Sequence, residues 1–164
     1  MKKTYIFVLA LLLTACGYSP IYQHTKDAVQ QVQVGTIVMT SITRSAGERR
    51  IAQLADKRLS QVFIAGDNAL YTLSAEIEES TNTLAVLRDA TEDRLEVVLN
   101  TDIFLKNKAG KEVFLRNLSA TAPYNVETSP YGTEAGKDRA RKSATIYLTE
   151  EIIKQVNYYL YNQK

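Results

Sequence analysis

An α+β fold, with two helices packed on one face of a four-stranded mixed sheet in the order β-α-β-β-β-α, is predicted by three patterns in the sequence. Apolar residues recur at every second position in successive stretches between Leu70 and Ala122, the spacing of half-buried strands. Two other stretches, Glu48–Phe63 and Lys137–Tyr161, repeat apolar residues every three to four positions, the spacing of one helix face. Each of those stripes needs an apolar surface to cover, and the alternating strands together present one.

The first strand is expected over Gln33–Thr40, where Val34, Ile37, Val38 and Met39 surround Gly35 with β-branched and apolar side chains. A helix follows over Glu48–Phe63, with Ile51, Leu54, Ala55, Leu59, Val62 and Phe63 on one face, and Gly66-Asp67 stops it. Leu70–Glu78 then places Tyr71, Leu73, Ala75 and Ile77 on one side and Thr72, Ser74, Glu76 and Glu78 on the other. A polar break is expected at Ser80-Thr81-Asn82, before the apolar Leu84–Leu87 and a turn at Asp89–Glu92. Leu95, Val97, Leu99, Thr101, Ile103 and Leu105 resume the alternation as the second arm of a long hairpin. Asn107-Lys108-Ala109-Gly110 makes the next turn, and Glu112–Ala122 returns as the last strand. Pro123–Gly136, with Pro130, Gly132 and Gly136, reads as a loop before the final helix over Lys137–Tyr161.

The N-terminus is organised for export. Lys2 and Lys3 precede an apolar run from Tyr5 to Leu13, which is the pattern of a secretory signal peptide. That run is far shorter than the ~20 residues a helix needs to cross a bilayer, so the segment reads as one that is removed. Leu13-Thr14-Ala15-Cys16 resembles a bacterial lipobox, and Cys16 is the single cysteine of the chain. It is therefore expected to carry a covalent diacylglycerol and an N-acyl lipid, more than one chain being needed for stable anchoring. Gly17 follows in place of Asp, which by resemblance to bacterial sorting favours the periplasmic face of the outer membrane. Residues 1–15 thus form the signal peptide, 16–31 a lipidated tether whose first apolar residues dock in part, and 32–164 one domain.

Composition narrows the function. Without Lys2 and Lys3 the 20 Lys+Arg fall to 18, equal to the 18 Asp+Glu, so the mature chain has no global field for nucleic acid. No intrachain disulfide can form, and the domain must be held by core packing. The single histidine, His24, lies in the tether, and an activated nucleophile or zinc site normally needs more. Glu76, Glu78 and Glu79 read as the wet side and end of a strand, so no enzyme is expected.

Three stretches together resemble the LptE family of lipopolysaccharide-assembly lipoproteins. They are Cys16-Gly17-Tyr18-Ser19-Pro20-Ile21-Tyr22, then Leu70–Leu73 with the hairpin from Arg88-Asp89 to Phe104-Leu105, and Pro123-Tyr124-Asn125-Val126 with Ser129-Pro130-Tyr131. The resemblance covers nearly the whole mature chain and implies the same two-helix, four-stranded fold. It implies a plug in a large LptD-like outer-membrane β-barrel, one to one, that helps the barrel assemble and lipopolysaccharide reach the outer leaflet. A polar outer sheet face would suit a polar barrel interior. The rival reading is a free-standing periplasmic lipoprotein that binds a peptide, glycan or protein partner without a barrel.

Under this resemblance, Arg88, Arg94 and Arg116, with Lys106, Lys108 and Lys111 around the hairpins, are candidate contacts for lipopolysaccharide phosphates. Ordinary solvated strand-edge charge is the competing explanation. Tyr124, Asn125 and Tyr131 are candidates either to touch the barrel or to brace the loop into the last helix. Tyr158, Tyr159 and Tyr161 read as core and rim of that helix, with a membrane interface as the alternative.

Overall fold

The structure, a computed structural model, describes residues 31–40, 46–64, 69–86 and 93–163. The signal peptide, the tether up to residue 30 with Cys16, and the expected turn at Asp89–Glu92 with the preceding Arg88 lie outside the described residues. Six elements follow in the order β1 (Val32–Met39), α1 (Ala46–Val62), β2 (Tyr71–Val86), β3 (Asp93–Asn107), β4 (Glu112–Asn125) and α2 (Pro130–Tyr161). The four strands form one sheet in the order β1-β2-β3-β4. β1 and β2 run parallel, joined by α1, whereas β2, β3 and β4 form an antiparallel meander. The predicted α+β class and element order are those of the structure.

Side chains on the odd-numbered positions of β2 and β3 face the helices. Leu73, Ala75, Ile77, Val97, Leu99, Ile103 and Leu105 are fully buried there. α1 brings Ile51, Ala55 and Leu59 down onto this layer, and Phe63 closes it. Each of the buried Leu, Ile, Val and Phe side chains contributes about 1.5–3 kcal/mol by leaving water. In α2 the buried residues Ala140, Ala144, Leu148, Ile152, Val156 and Leu160 recur at every fourth position. A four-residue step overshoots a helical turn by about 40°, so over this stripe the buried side winds about 200° around the helix. That winding keeps one long helix in contact with a sheet whose strands twist.

Two expectations are corrected. Ser80-Thr81-Asn82 does not break the strand: β2 runs on to Val86, with these residues paired to Val98, Val97 and Glu96 of β3. Exposed hydroxyl and amide side chains cost little in a strand whose backbone is fully paired, and the Asn82 amide lies 3.5 Å from the Glu96 carboxylate. The segment Pro123–Gly136 is not one loop either, because β4 continues through Asn125 and α2 starts at Pro130. Pro123 is tolerated because β4 is an edge strand. Pro130 sits in the first helical turn, where a missing N–H loses no helical bond.

Two glycines are required by position. At Gly35 an added Cβ would fall 2.7 Å from Thr72 Cγ2 and 2.8 Å from Ser74 Oγ, beside the register shift between Val34 and Ile37. Gly110 has φ +74°, the left-handed turn position. The turn is held by Asn107, whose Oδ1 accepts bonds from the backbone N–H groups of Ala109 and Lys111, both at 3.0 Å.

Candidate interaction surface

With both helices on one side, the other face of the sheet is left uncovered by any described element. Its side chains come from the even positions of β2 and β3, with Asn117 and Ser119 opposite Asp102 and Asn100. Glu76, Glu78, Asp102 and Lys106 are exposed, and Asn117 Nδ2 donates to Asp102 Oδ1 at 2.9 Å. A shallow depression of about 320 Å³ spans all four strands, lined by Thr36, Val38, Ser74, Glu76, Phe104, Lys106 and Glu112. A smaller one of about 80 Å³ adjoins it, between Thr40, Glu76, Glu78, Asn100, Asp102 and Asn117. The surface is therefore a polar field with carboxylate acceptors, amides and one ammonium group, broken by apolar islands at Val38, Phe104 and Leu115. Alternation predicts its polar members. Phe104 and Leu115 face outward by the same parity, a signal present in the sequence but overshadowed by their apolar character.

The candidate phosphate contacts do not form one cluster. Arg94 lies at the start of β3, and Arg116 pairs with Ile103 nine positions along it, a separation of about 30 Å. The two also fall on opposite faces, Arg94 in register with Asn125 on the open side and Arg116 in phase with the helix-facing residues. Arg116 Cζ stands 5.2 Å from the centre of the Phe114 ring, and its Nη1 donates to the Leu115 carbonyl at 3.2 Å. Lys106, Lys108 and Lys111 gather at Arg116's end of the sheet, around the Asn107–Gly110 turn. Arg88 lies outside the described residues.

The three candidate contact or brace residues separate in the same way. Tyr124 is buried against the core, and an added Cβ on Gly136 of α2 would lie 3.8 Å from its Cβ, so it braces the start of that helix. Burial raises the Tyr124 phenol pKa above 10, against the opposing effects of a Thr81 hydrogen bond and the Arg141 charge. Asn125 is exposed, and Tyr131 is 85% exposed in the first turn of α2.

An ion cluster at this end of the molecule does not follow the expected reading of Glu79 as wet. Glu79 lies in phase with Leu73, Ala75 and Ile77, and its side chain is only 8% exposed. Both its carboxylate oxygens accept bonds from Arg141 Nε, at 2.9 and 3.1 Å. Arg141 Nη1 reaches Asp138 at 3.1 Å and Glu134 at 3.3 Å. Burial works against the Arg141 charge, but the Glu79 bond and the neighbouring carboxylates outweigh it and raise its pKa. The parity of Glu79 with Leu73, Ala75 and Ile77 is the signal that the wet reading passed over; its partner, 62 positions away, could not be found from spacing.

Known structures place the architecture. The chain adopts the fold of several solved bacterial lipoproteins. A lipoprotein from Caulobacter crescentus aligns with TM-score 0.56 at 17% identity, covering 84% of this chain and 96% of that one. A minor lipoprotein from Acinetobacter baumannii aligns at 0.52 and 14%, covering 79% and 92%. Rare lipoprotein B from Shewanella oneidensis aligns at 0.52 and 15%, covering 79% and 98%. No family model and no curated protein matches the sequence.

Proposed function

We propose that this chain is a lipoprotein of the outer membrane, anchored on its periplasmic face through lipidated Cys16, that plugs a large LptD-like β-barrel one to one. In this reading it helps the barrel assemble and assists insertion of lipopolysaccharide into the outer leaflet, and it performs no catalysis. The observation that carries the reading is the uncovered polar face, which spans four strands and offers the hydrogen-bonding groups that a polar barrel interior can meet. The lipobox-like start and the shared fold with lipoproteins support it.

The test is purification of the full precursor from its own host with Cys16 intact, extracted in mild detergent. A β-barrel recovered one to one is the expected result. An Asn100→Arg, Asp102→Arg variant should lose that barrel while keeping its fold. Recovery of the lipoprotein alone under gentle extraction would sink the plug reading in favour of a free-standing binding module. For the ligand, an Arg88→Ala, Arg94→Ala variant that keeps full lipopolysaccharide pull-down would remove those two arginines from the contact.

A further inference from the structure

We infer that the end of the domain from which the tether departs is a contact surface for an anionic phospholipid layer, and that it seats the domain on its membrane in one orientation. The inference rests on the anchor in the proposed function but not on the barrel. Three independent features converge at this end.

The first is where the chain enters. The Gln31 carbonyl accepts bonds from the Leu70 and Tyr71 N–H groups at 2.8 and 3.0 Å, so the tether meets the domain at the start of β2. Fifteen residue steps separate Cys16 from Gln31. Fully extended they reach about 50 Å, which allows both contact with the bilayer and drift away from it, so the anchor alone does not fix the pose.

The second feature is apolar and aromatic exposure. Ile64, at the end of α1, is 64% exposed, Leu70 is 40% exposed, and Tyr158 in the last turns of α2 is 66% exposed. Tyr158 belongs to this end because it shares a surface depression with Phe114 and Tyr159, whose ring lies 6.4 Å from Tyr71. Aliphatic groups that insert shallowly and tyrosine rings at headgroup depth are the usual means by which a domain rests on a bilayer surface. No described helix is long and apolar enough to cross a membrane, so contact here would be superficial.

The third is charge. Register places Asn107 beside Tyr71, which brings the β3–β4 turn to the same end. Lys108, Lys111 and Arg116 are exposed there, and none makes an ion pair among the described residues. Glu112 is the one carboxylate between positions 106 and 116. Each such cation strengthens attachment to an anionic layer by about fivefold. The opposite end mixes both signs around exposed Tyr131, with Glu127, Glu134 and Asp138 alongside Arg94, Lys137, Arg139 and Arg141.

The experiment uses the mature lipidated protein in vesicles of phosphatidylcholine, alone or mixed with phosphatidylglycerol. Lipidation consumes the Cys16 thiol, so Ile64→Cys or Tyr131→Cys each gives one fluorophore site, read with a quencher carried on the lipid headgroup. The expected result is strong quenching at position 64 and little at 131, dependent on phosphatidylglycerol and weakened by salt. In a Lys108→Ala, Lys111→Ala background, the ratio of docked to undocked protein should fall about 30-fold. Equal quenching at both positions, or quenching indifferent to phosphatidylglycerol, would overturn the inference. So would contact at position 64 that appears only when a purified barrel is added, since the surface would then belong to a protein partner. The mass of the Cys16 peptide tests the anchor separately.

Discussion

One cluster of cations at each end of the sheet shows two ways of handling charge. Where α2 begins, Arg141 is enclosed by Glu79, Asp138 and Glu134, and Arg50 approaches Asp138 at 3.7 Å. Where α2 ends, Lys108, Lys111 and Arg116 stand in water without an ion pair among the described residues. Charges that satisfy one another hold the fold together but leave little for a visitor. Solitary surface charges contribute almost nothing to folding and are free to meet something else. The difference separates charges that hold the fold from charges that do not, within one small domain.

The contrast can be tested by substitution, beginning where the effect is greatest. Arg141→Ala strands the Glu79 carboxylate at a largely buried position and should cost about 3 kcal/mol in a denaturant titration. A loss below about 0.5 kcal/mol, the range of a surface change, would show that the cluster is not structural. Gly136→Ala, at the same end, should instead stabilise by about 0.5–1 kcal/mol, because Ala is the better helix former. The added methyl would meet the Asn125 carbonyl at 3.7 Å, an ordinary contact, and a destabilised variant would mean that α2 lies closer to β4 than described.

Alkaline stability compares the ends through their tyrosines. Burial raises the pKa of Tyr124 at one end and of Tyr159 at the other above 10. In the unfolded chain these phenols lose their protons near pH 10, while in the fold they resist. Their contribution is therefore complete below that pH and is lost as pH rises through and above it. Tyr124→Phe and Tyr159→Phe should each flatten the fall in stability above pH 10, measured by denaturant titration across that range. An unchanged slope would place both phenols in water. The smallest effect is expected from Tyr131→Ala and from Lys108→Ala, Lys111→Ala, which should leave the midpoint of unfolding within about 0.5 kcal/mol of the parent. A larger loss would make these surface groups part of the fold.

Period two and period 3.6 reveal most of the architecture because one face of every element is dry. Ile51, Ala55 and Leu59 on α1, and Leu73, Ala75 and Ile77 on β2, all occupy the buried positions their spacing predicts. Boundaries suffer where polar residues are compatible with either state. Ser80-Thr81-Asn82 looks like a turn until paired with β3, and Pro130 and Gly132 look like loop residues until placed in the first turn of a helix. Strand order is not written in local spacing either, since the parallel pairing of β1 with β2 depends on the path of α1. For the surface, alternation identifies the polar outer face but not which charges share an end. Arg94 and Arg116, both near a predicted hairpin, prove to be some 30 Å apart, because long strands carry neighbouring turns to opposite ends.

Under the proposed anchoring, which would confine the chain to a plane, Pro123 and the irregularity at Gly35 acquire another meaning. Molecules held on one leaflet search two dimensions rather than three, so they collide often and with fewer orientations than in solution. An open sheet would then be at risk of joining end strand to end strand into ribbons. Here one outer strand carries a proline that has no N–H to give, and the other shifts register between Val34 and Ile37. Each border thus carries its own obstacle to adding a further strand, and crowding alone would not zip one copy to the next.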